Sequence, residues 1–290
     1  MGTLRARYGP EPMEPIVSPD WLHAHLAEVV VADVRWYLDG RSGHDAYASG
    51  HLPGAAWIDL DSVLAAPPTI AGGRHPLPTP ERFADGLRRA GIGDGALVVA
   101  YDDAAGMAAG RLVWLLRALG EQAALLDGGL EAWNGPLETG VVERPEATFT
   151  ARPWPSDVFA SADDVAAAVA RGSLVLDARA AERYRGDTEP LDARAGHVPG
   201  ALNAPFGGNL DPTTKRFLPT DQLRRRFASL GVTADREVVV YCGSGVSACH
   251  NLLALEAAGF HPARARLYPG SWSQWAGDPS RPVATGKEPE

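Results

Sequence analysis

The chain has 290 residues, of which 45% are hydrophobic and 22% charged, and its formal net charge at pH 7 is −9. An acidic pI near 5.4 argues against a nucleic-acid-binding or anionic-membrane surface, and no apolar run approaches the length of a membrane-spanning helix. Two cysteines exclude a disulfide scaffold, and the first ten residues contain no apolar signal segment, so we expect a cytoplasmic protein.

The first half of the chain alternates helical and strand patterns. In chain order, the patterns predict a helix from Pro19 with Ser18 as its N-cap, a strand ending at Asp33, a helix over 80–90, a strand over 97–101 and a helix over 111–119. Strands that alternate with helices in this way indicate a parallel sheet covered on both faces.

Four short motifs of the first half return in the second half in the same order. The clearest is Gly50-His-Leu-Pro-Gly-Ala55, which returns as Gly196-His-Val-Pro-Gly-Ala201, and the four offsets all lie between 140 and 146 residues. Ordered repeats at nearly constant spacing indicate a duplication. We therefore predict an α/β fold with two tandem domains, residues 1–140 and 159–290, joined by a Pro-rich linker over 141–158.

The second domain contains a cysteine at the end of a buried strand. Three valines and a tyrosine, 238–241, predict that strand, and Cys242 opens a run of small residues before a helix from His250. Backbone N–H groups of the loop and the start of the helix would stabilise negative charge on the sulfur. The alternative is a structural core cysteine, but such a residue needs no Gly-Ser-Gly after it. We interpret Cys242 as a nucleophile.

Cys249 and Asp102 limit the kinds of site that the two halves can form. Cys249 fits the buried face of the helix, and its spacing from Cys242 matches neither a zinc site nor a C-x-x-C redox pair. In the first half, Asp102 aligns with Cys242, so that half has the scaffold without the nucleophile. We expect one site per chain.

The paired halves, the Gly-His-x-Pro-Gly-Ala turns and the cysteine loop together resemble the tandem-domain rhodanese sulfurtransferases. Within that family, Cys242-Gly-Ser-Gly-Val-Ser-Ala248 is similar to the loop of 3-mercaptopyruvate sulfurtransferases. Thiosulfate-preferring members carry Cys-Arg-Lys instead, and here Gly243 and Ser244 stand in place of both cations. The resemblance covers nearly the whole chain, from about Ser18 to Trp275.

The resemblance implies a ping-pong reaction without a cofactor or metal. Cys242 would take sulfur from 3-mercaptopyruvate as a persulfide and pass it to cyanide, a small thiol or thioredoxin. The residues that the family pattern assigns to proton transfer are Ser244, His75 and Asp61, with His75 arriving from the first domain. Those assigned to donor binding are Arg183, Gly243, Gly245, Val246 and Ser247.

The sequence departs from the family at one donor-binding position. The family has a second arginine about nine residues after the first, following a Glu-Pro pair, and this chain has Leu191 there. Arg185 and Arg194 are the nearest cations that might replace it. The departure keeps thiosulfate open as the alternative donor.

Two other functional classes could use a similar cysteine loop. Phosphatases with a similar cysteine loop need Cys-x5-Arg, and the required position is Ala248, which excludes them. A non-catalytic persulfide carrier remains an alternative, although it would need none of His75, Ser244 and Arg183. His51 and His197 are interpreted as structural turn residues, because the half without a nucleophile keeps its copy.

Overall fold

The computed structural model describes residues 13–260 and 264–287, which divide into two compact units. The first unit contains residues up to 66 and 77–154, and the second contains 67–76 and 155 onward. The segment 67–76 thus groups with the second unit, whereas the sequence assigned it to the first domain. Most of the predicted linker belongs to the first unit. The N-terminal stretch without a signal segment lies outside the described residues.

The first unit is a parallel five-stranded sheet with strand order β1-β5-β4-β2-β3. Its strands are β1 Ile16–Val17, β2 Val30–Asp33, β3 Ala56–Trp57, β4 Val98–Tyr101 and β5 Ala123–Leu126. Its helices are α1 Pro19–His25, α2 Gly43–Ser49, α3 Pro80–Arg89 and α4 Ala109–Ala118, with short helical turns at Leu60–Leu64 and Gly129–Ala132. Ser18 caps α1 as predicted, because its hydroxyl accepts a hydrogen bond from Trp21 N–H.

The second unit is a parallel four-stranded sheet with strand order β7-β6-β8-β9. Its strands are β6 Leu174–Asp177, β7 Leu202–Asn203, β8 Val238–Tyr241 and β9 Ala265–Leu267. Its helices are α5 Ala162–Ala170, α6 Ala181–Arg185, α7 Thr220–Ser229, α8 Ser247–Ala257 and α9 Ser271–Gly277, with a helical turn at Phe206–Asn209. Among the residues described in both units, no helix combines the length and apolar character needed to cross a membrane.

The helix after the cysteine begins earlier than the sequence pattern indicated. We predicted its start at His250, but α8 begins at Ser247. The apolar periodicity that marks a helix is absent from its small first residues, so the pattern reveals only the later turns. The cysteine loop is therefore short, and the helix N-terminus lies close to it.

The two units repeat one buried ion pair at equivalent places. Arg35 Nη2 lies 2.6 Å from Asp33 Oδ2, and Arg179 Nη2 lies 2.6 Å from Asp177 Oδ2. Burial opposes the charge on Arg179, but the Asp177 carboxylate outweighs it and raises the pKa of the guanidinium. Both arginines also donate to the carbonyl oxygen of the glycine that precedes the turn histidine of their unit, so each ion pair connects its turn to a strand end.

The two turn histidines are buried and pack in the same way. His51 Nδ1 lies 2.9 Å from the carbonyl oxygen of Tyr47, and its ring stacks on that tyrosine with centroids 4.2 Å apart. His197 makes the same two contacts with Tyr184, at 2.8 and 3.7 Å. This repeated arrangement in both units supports the structural interpretation of these residues.

The loop of the first unit encloses its own anion. Asp102 is fully buried, and its carboxylate accepts backbone hydrogen bonds of 2.7 to 2.9 Å from Ala104, Gly106, Ala108 and Ala109. Two N–H groups of the loop and two at the start of α4 together satisfy the oxygens of the carboxylate. The aspartate therefore occupies the anion cradle of this loop and fixes its conformation.

We predict that Asp102→Ala destabilises the protein by about 3 kcal/mol or more, because it leaves four buried N–H groups without an acceptor. Asp102→Asn, which keeps an acceptor oxygen, should cost less. Denaturant unfolding of the three proteins measures the difference. Equal stabilities would show that water replaces the carboxylate at no cost.

Candidate active site

The backbone of Cys242 is fixed by the turn that begins α9. Cys242 N–H donates to Ser271 Oγ over 3.1 Å, and Cys242 O accepts from Trp272 N–H over 2.9 Å. Ser271 is buried with φ of +53°, a conformation that L side chains adopt at a cost and that structures retain where a site requires it. These two hydrogen bonds fix the backbone of Cys242 at the end of β8, and they thereby fix the direction of its side chain.

The sulfur of Cys242 lies under the loop that follows it. Gly245 N–H donates to Cys242 Sγ over 3.1 Å, and Gly245 has φ of +77°, which glycine adopts without strain. Val246 and Ser247 complete the loop and begin α8, whose N-terminus adds positive potential at the sulfur. Cys242 is only 2% exposed. These groups stabilise negative charge on a sulfur that is shielded from bulk water.

Cys249 supports the same loop from inside α8. It is fully buried, and its thiol lies 3.4 Å from the carbonyl oxygen of Gly245. The predicted structural role fits this position.

Ser244 and His75 form a hydrogen-bonded pair. His75 Nδ1 lies 2.8 Å from Ser244 Oγ, and both residues are less than 10% exposed. The pair is assembled within the second unit, because His75 belongs to the segment 67–76. We expected His75 to come from the first domain; its segment belongs to the first half of the chain in sequence, and in the structure it groups with the second unit.

The segment that contains His75 is anchored to α9. Arg74 N–H donates to Ser273 Oγ over 3.0 Å, and the Gln274 side chain donates to Ala71 O. Gly73 packs so tightly that a Cβ atom there would lie 2.6 Å from Gly270 O. The same helix therefore holds both the backbone of Cys242 and the segment that presents His75.

Asp61 lies in the first unit, in the helical turn Leu60–Leu64. The Asp59 side chain caps this turn, and Asp61 Oδ2 accepts a hydrogen bond from Trp36 Nε1 over 3.0 Å. Asp61 therefore lies in a helical stretch and not in a strand. The proton-transfer role of Asp61 stays a prediction.

Arg183 lies beside the cysteine loop in a chain of ion pairs. Its Nη2 group lies 2.6 Å from Glu189 Oε1 and 3.0 Å from Asp192 Oδ2. Glu189 also pairs with Arg179 over 3.1 Å, which links this chain to the buried pair at the end of β6. A Cβ atom built on Gly243 would lie 3.4 Å from Arg183 Nη1, so the guanidinium reaches the residue after the cysteine.

A second guanidinium at this place was missed by the sequence analysis. Arg74 Nη2 would lie 2.7 Å from a Cβ atom on Gly243, and Arg74 pairs with Asp192 through Nε at 3.0 Å. Its place immediately before His75 was the available signal. The expected cations were those close to Arg183 in sequence, whereas Arg74 lies 109 residues earlier in the chain.

The cations that we suggested in place of an arginine at 191 are engaged elsewhere. Arg194 donates to four backbone carbonyls at and after the end of α9, and Arg185 pairs with Asp187 over 2.7 Å. Leu191 is 38% exposed. Among the described residues, Arg74 and Arg183 are the cations whose side chains would contact a Cβ atom on Gly243.

The rhodanese-like domain model matches two segments of the chain, residues 18–136 and 161–278. The chain belongs to the rhodanese family. The predicted tandem arrangement and α/β fold are thereby confirmed, and each matched segment is one rhodanese domain.

Two relatives are 44% identical to the chain. One, from Pseudomonas aeruginosa, is named "Probable 3-mercaptopyruvate sulfurtransferase" and aligns over 93% of this chain and 98% of its own length. The other, from Mycobacterium tuberculosis, is named "Putative thiosulfate sulfurtransferase SseB" and aligns over 89% and 91%. The crystal structure of SseA from Escherichia coli, titled as a 3-mercaptopyruvate sulfotransferase, superposes with a TM-score of 0.77 at 33% identity and covers 90% of this chain and all of that one.

The names of these relatives agree on sulfur transfer, but they differ in the sulfur donor. The chain is a sulfurtransferase with two rhodanese domains, and its substrates are a small-molecule sulfur donor and an acceptor. Within the described part of the chain, no group of three or more His, Cys, Asp or Glu side chains is arranged to hold a metal ion.

Proposed function

We propose that the protein transfers sulfur from 3-mercaptopyruvate to a thiophilic acceptor through a persulfide on Cys242. The observation that carries the choice of donor is the Ser244–His75 pair, 2.8 Å apart beside the nucleophile. A donor whose leaving group is an enolate needs a proton, and a hydroxyl bonded to an imidazole is suited to deliver one. The uncharged Gly243 and Ser244 in the loop support the same choice.

In the first half-reaction the Cys242 thiolate attacks the donor sulfur. A sulfur–sulfur bond forms, the carbon–sulfur bond breaks, and its electron pair leaves with carbon as the enolate of pyruvate. Ser244, hydrogen-bonded to His75, is the group that we propose protonates that enolate, and the donor thiol supplies the matching proton. Gly245 N–H and the α8 N-terminus stabilise charge on the cysteine sulfur.

In the second half-reaction an acceptor removes the outer sulfur and restores the Cys242 thiolate. Cyanide, small thiols and reduced thioredoxin are the acceptors that we propose, since each presents a nucleophile suited to sulfane sulfur. Because sulfur is carried covalently by the protein, we propose that no cofactor or metal takes part. The proposed location is the cytoplasm, where thiols stay reduced.

Thiosulfate is the second candidate donor. The Arg74 guanidinium beside Gly243 favours it, because it places a second cation where a doubly charged donor needs one. The name of the M. tuberculosis relative points the same way.

A comparison of kcat/KM for 3-mercaptopyruvate and thiosulfate, with cyanide as acceptor, tests the donor. We expect 3-mercaptopyruvate to be favoured by at least about tenfold, which corresponds to about 1.4 kcal/mol in the transition state. A ratio in favour of thiosulfate would reject the proposed donor. Activity with neither donor, in protein with an intact Cys242, would favour the persulfide carrier instead.

Arg183→Gln should raise KM for 3-mercaptopyruvate about tenfold or more, because a charge-assisted hydrogen bond to the donor carboxylate is lost. Thermal unfolding measured alongside shows how far the loss of the Glu189 and Asp192 pairs weakens the fold. An unchanged KM would show that the carboxylate is bound elsewhere.

A further inference from the structure

We propose that Arg74 is the second guanidinium of the donor site and that Arg74 and Arg183 together bind the donor's carboxylate over Gly243. This inference rests on the proposed function, since it names the group that recognises the donor. It also assigns the role left open by Leu191 to a residue that precedes His75 rather than to one near Arg183.

The first support is the approach of both guanidinium groups to Gly243. Arg74 Nη2 would lie 2.7 Å from a Cβ atom on that glycine, and Arg183 Nη1 and Nη2 would lie 3.4 and 3.7 Å from it. Gly243 directly follows the nucleophile, so an anion held by these groups lies one residue from the reacting sulfur. Any side chain at this position would compete with Arg74 for space.

The second support is the shared counter-ion. The side chain of Asp192 is only 3% exposed and accepts hydrogen bonds from Arg74 Nε, Arg74 Nη2 and Arg183 Nη2, at 3.0, 3.2 and 3.0 Å. One buried carboxylate therefore orients two guanidinium planes that come from distant parts of the chain. This removes much of the conformational freedom that a long side chain would otherwise lose when a ligand binds.

The third support is that each guanidinium keeps an N–H group that the ion pairs with Glu189 and Asp192 do not use. Arg74 uses Nε and Nη2 on Asp192, and Arg183 uses Nη2 on Glu189 and Asp192. Within the described residues, the Nη1 group of each arginine donates to no protein acceptor, and Arg183 Nη1 is among the groups beside Gly243. A planar carboxylate has two oxygens, which suits one N–H group from each arginine.

The charge balance is consistent with an anion as ligand. Along the chain of ion pairs, Arg74, Arg179 and Arg183 alternate with three carboxylates, those of Asp177, Glu189 and Asp192. The formal sum is zero, so a donor carboxylate is not repelled by an excess of negative charge. The backbone N–H groups of Leu191 and Asp192 donate to the carboxylate of Glu189. They are therefore already used within the protein, and the two arginines are the groups that we propose for the donor.

The test compares Arg74→Gln with Arg185→Gln. Both changes remove one positive charge, but the partner of Arg185 among the described acidic residues is Asp187 near the end of α6, so Arg185 serves as the matched control. We expect Arg74→Gln to raise KM for 3-mercaptopyruvate about 10- to 100-fold with a smaller change in kcat, because the carboxylate loses a charge-assisted hydrogen bond. Arg185→Gln should keep the wild-type KM.

Calorimetric titration with pyruvate gives a readout that needs no turnover. Pyruvate carries the same carboxylate as the donor, and its affinity should fall in Arg74→Gln by a factor similar to the rise in KM. Arg74→Lys, which keeps the charge but not the planar fork, should restore part of the affinity. A fall in kcat alone, with KM and pyruvate affinity unchanged, would mean that Arg74 only positions His75, and it would overturn the proposal.

The failure of this inference can be distinguished from failure of the proposed function. If wild-type protein forms no Cys242 persulfide from 3-mercaptopyruvate, the proposed function fails, and the inference fails with it. If wild-type protein forms the persulfide and Arg74→Gln matches it in both KM and pyruvate affinity, only the role of Arg74 is rejected.

Discussion

Cys242→Ser should lower sulfur transfer by about 10⁴-fold or more, the scale on which the loss of a catalytic nucleophile acts. A serine hydroxyl fits the space under the loop but does not form a stable persulfide equivalent. The fold should survive, because the backbone contacts of Cys242 with Ser271 and Trp272 do not involve the sulfur. Steady-state rates with both donors measure the loss.

The matched control is Cys249→Ser, which changes the other cysteine of the chain. Because Cys249 is buried within α8 and its thiol lies against the carbonyl oxygen of Gly245, this variant should keep most of the activity. Full activity in Cys242→Ser, or loss of activity only in Cys249→Ser, would show that Cys242 is not the nucleophile.

His75→Gln and Ser244→Ala should each lower kcat with 3-mercaptopyruvate by about 10²- to 10³-fold, as expected for removal of a proton-transfer group. The two residues act through one hydrogen bond, so the double variant should be little worse than either single one. Thiosulfate provides an internal control. Its leaving group is sulfite, a stable anion that departs without a proton, so its kcat should fall much less.

Equal losses with both donors would contradict the proton-transfer role of the pair. They would indicate instead that Ser244 and His75 maintain the shape of the loop. Thermal unfolding of the three variants separates that outcome from a general loss of stability.

Much of the fold follows from patterns that are local in the sequence. Buried strands such as Val238–Tyr241 appear as short apolar runs, and the duplicated Gly-His-x-Pro-Gly-Ala turns reveal the two domains. Boundaries were less accurate where the residues are small or polar. The N-terminus of α8 at Ser247 and the helical turn that contains Asp61 have no apolar periodicity to mark them.

The candidate site depends on contacts that local patterns do not contain. The sequence predicted Cys242 as the nucleophile from the strand end and the Gly-rich loop that follows it, and the family resemblance added Ser244. The family resemblance brought His75 to this site, but no local pattern indicated that the whole segment 67–76 packs with the second unit, since that depends on close backbone contacts such as Gly73 against Gly270. Arg74 was missed for the same reason: its partner Asp192 lies 118 residues away.

The central claim is that Cys242 carries the transferred sulfur, and mass spectrometry of the intact protein tests it most directly. Wild-type protein is mixed with 3-mercaptopyruvate in the absence of an acceptor, and its mass is compared before and after addition of cyanide. We predict a gain of one sulfur atom, located on Cys242 by peptide mapping and removed by cyanide. No added sulfur, or sulfur found on Cys249 instead, would contradict the account.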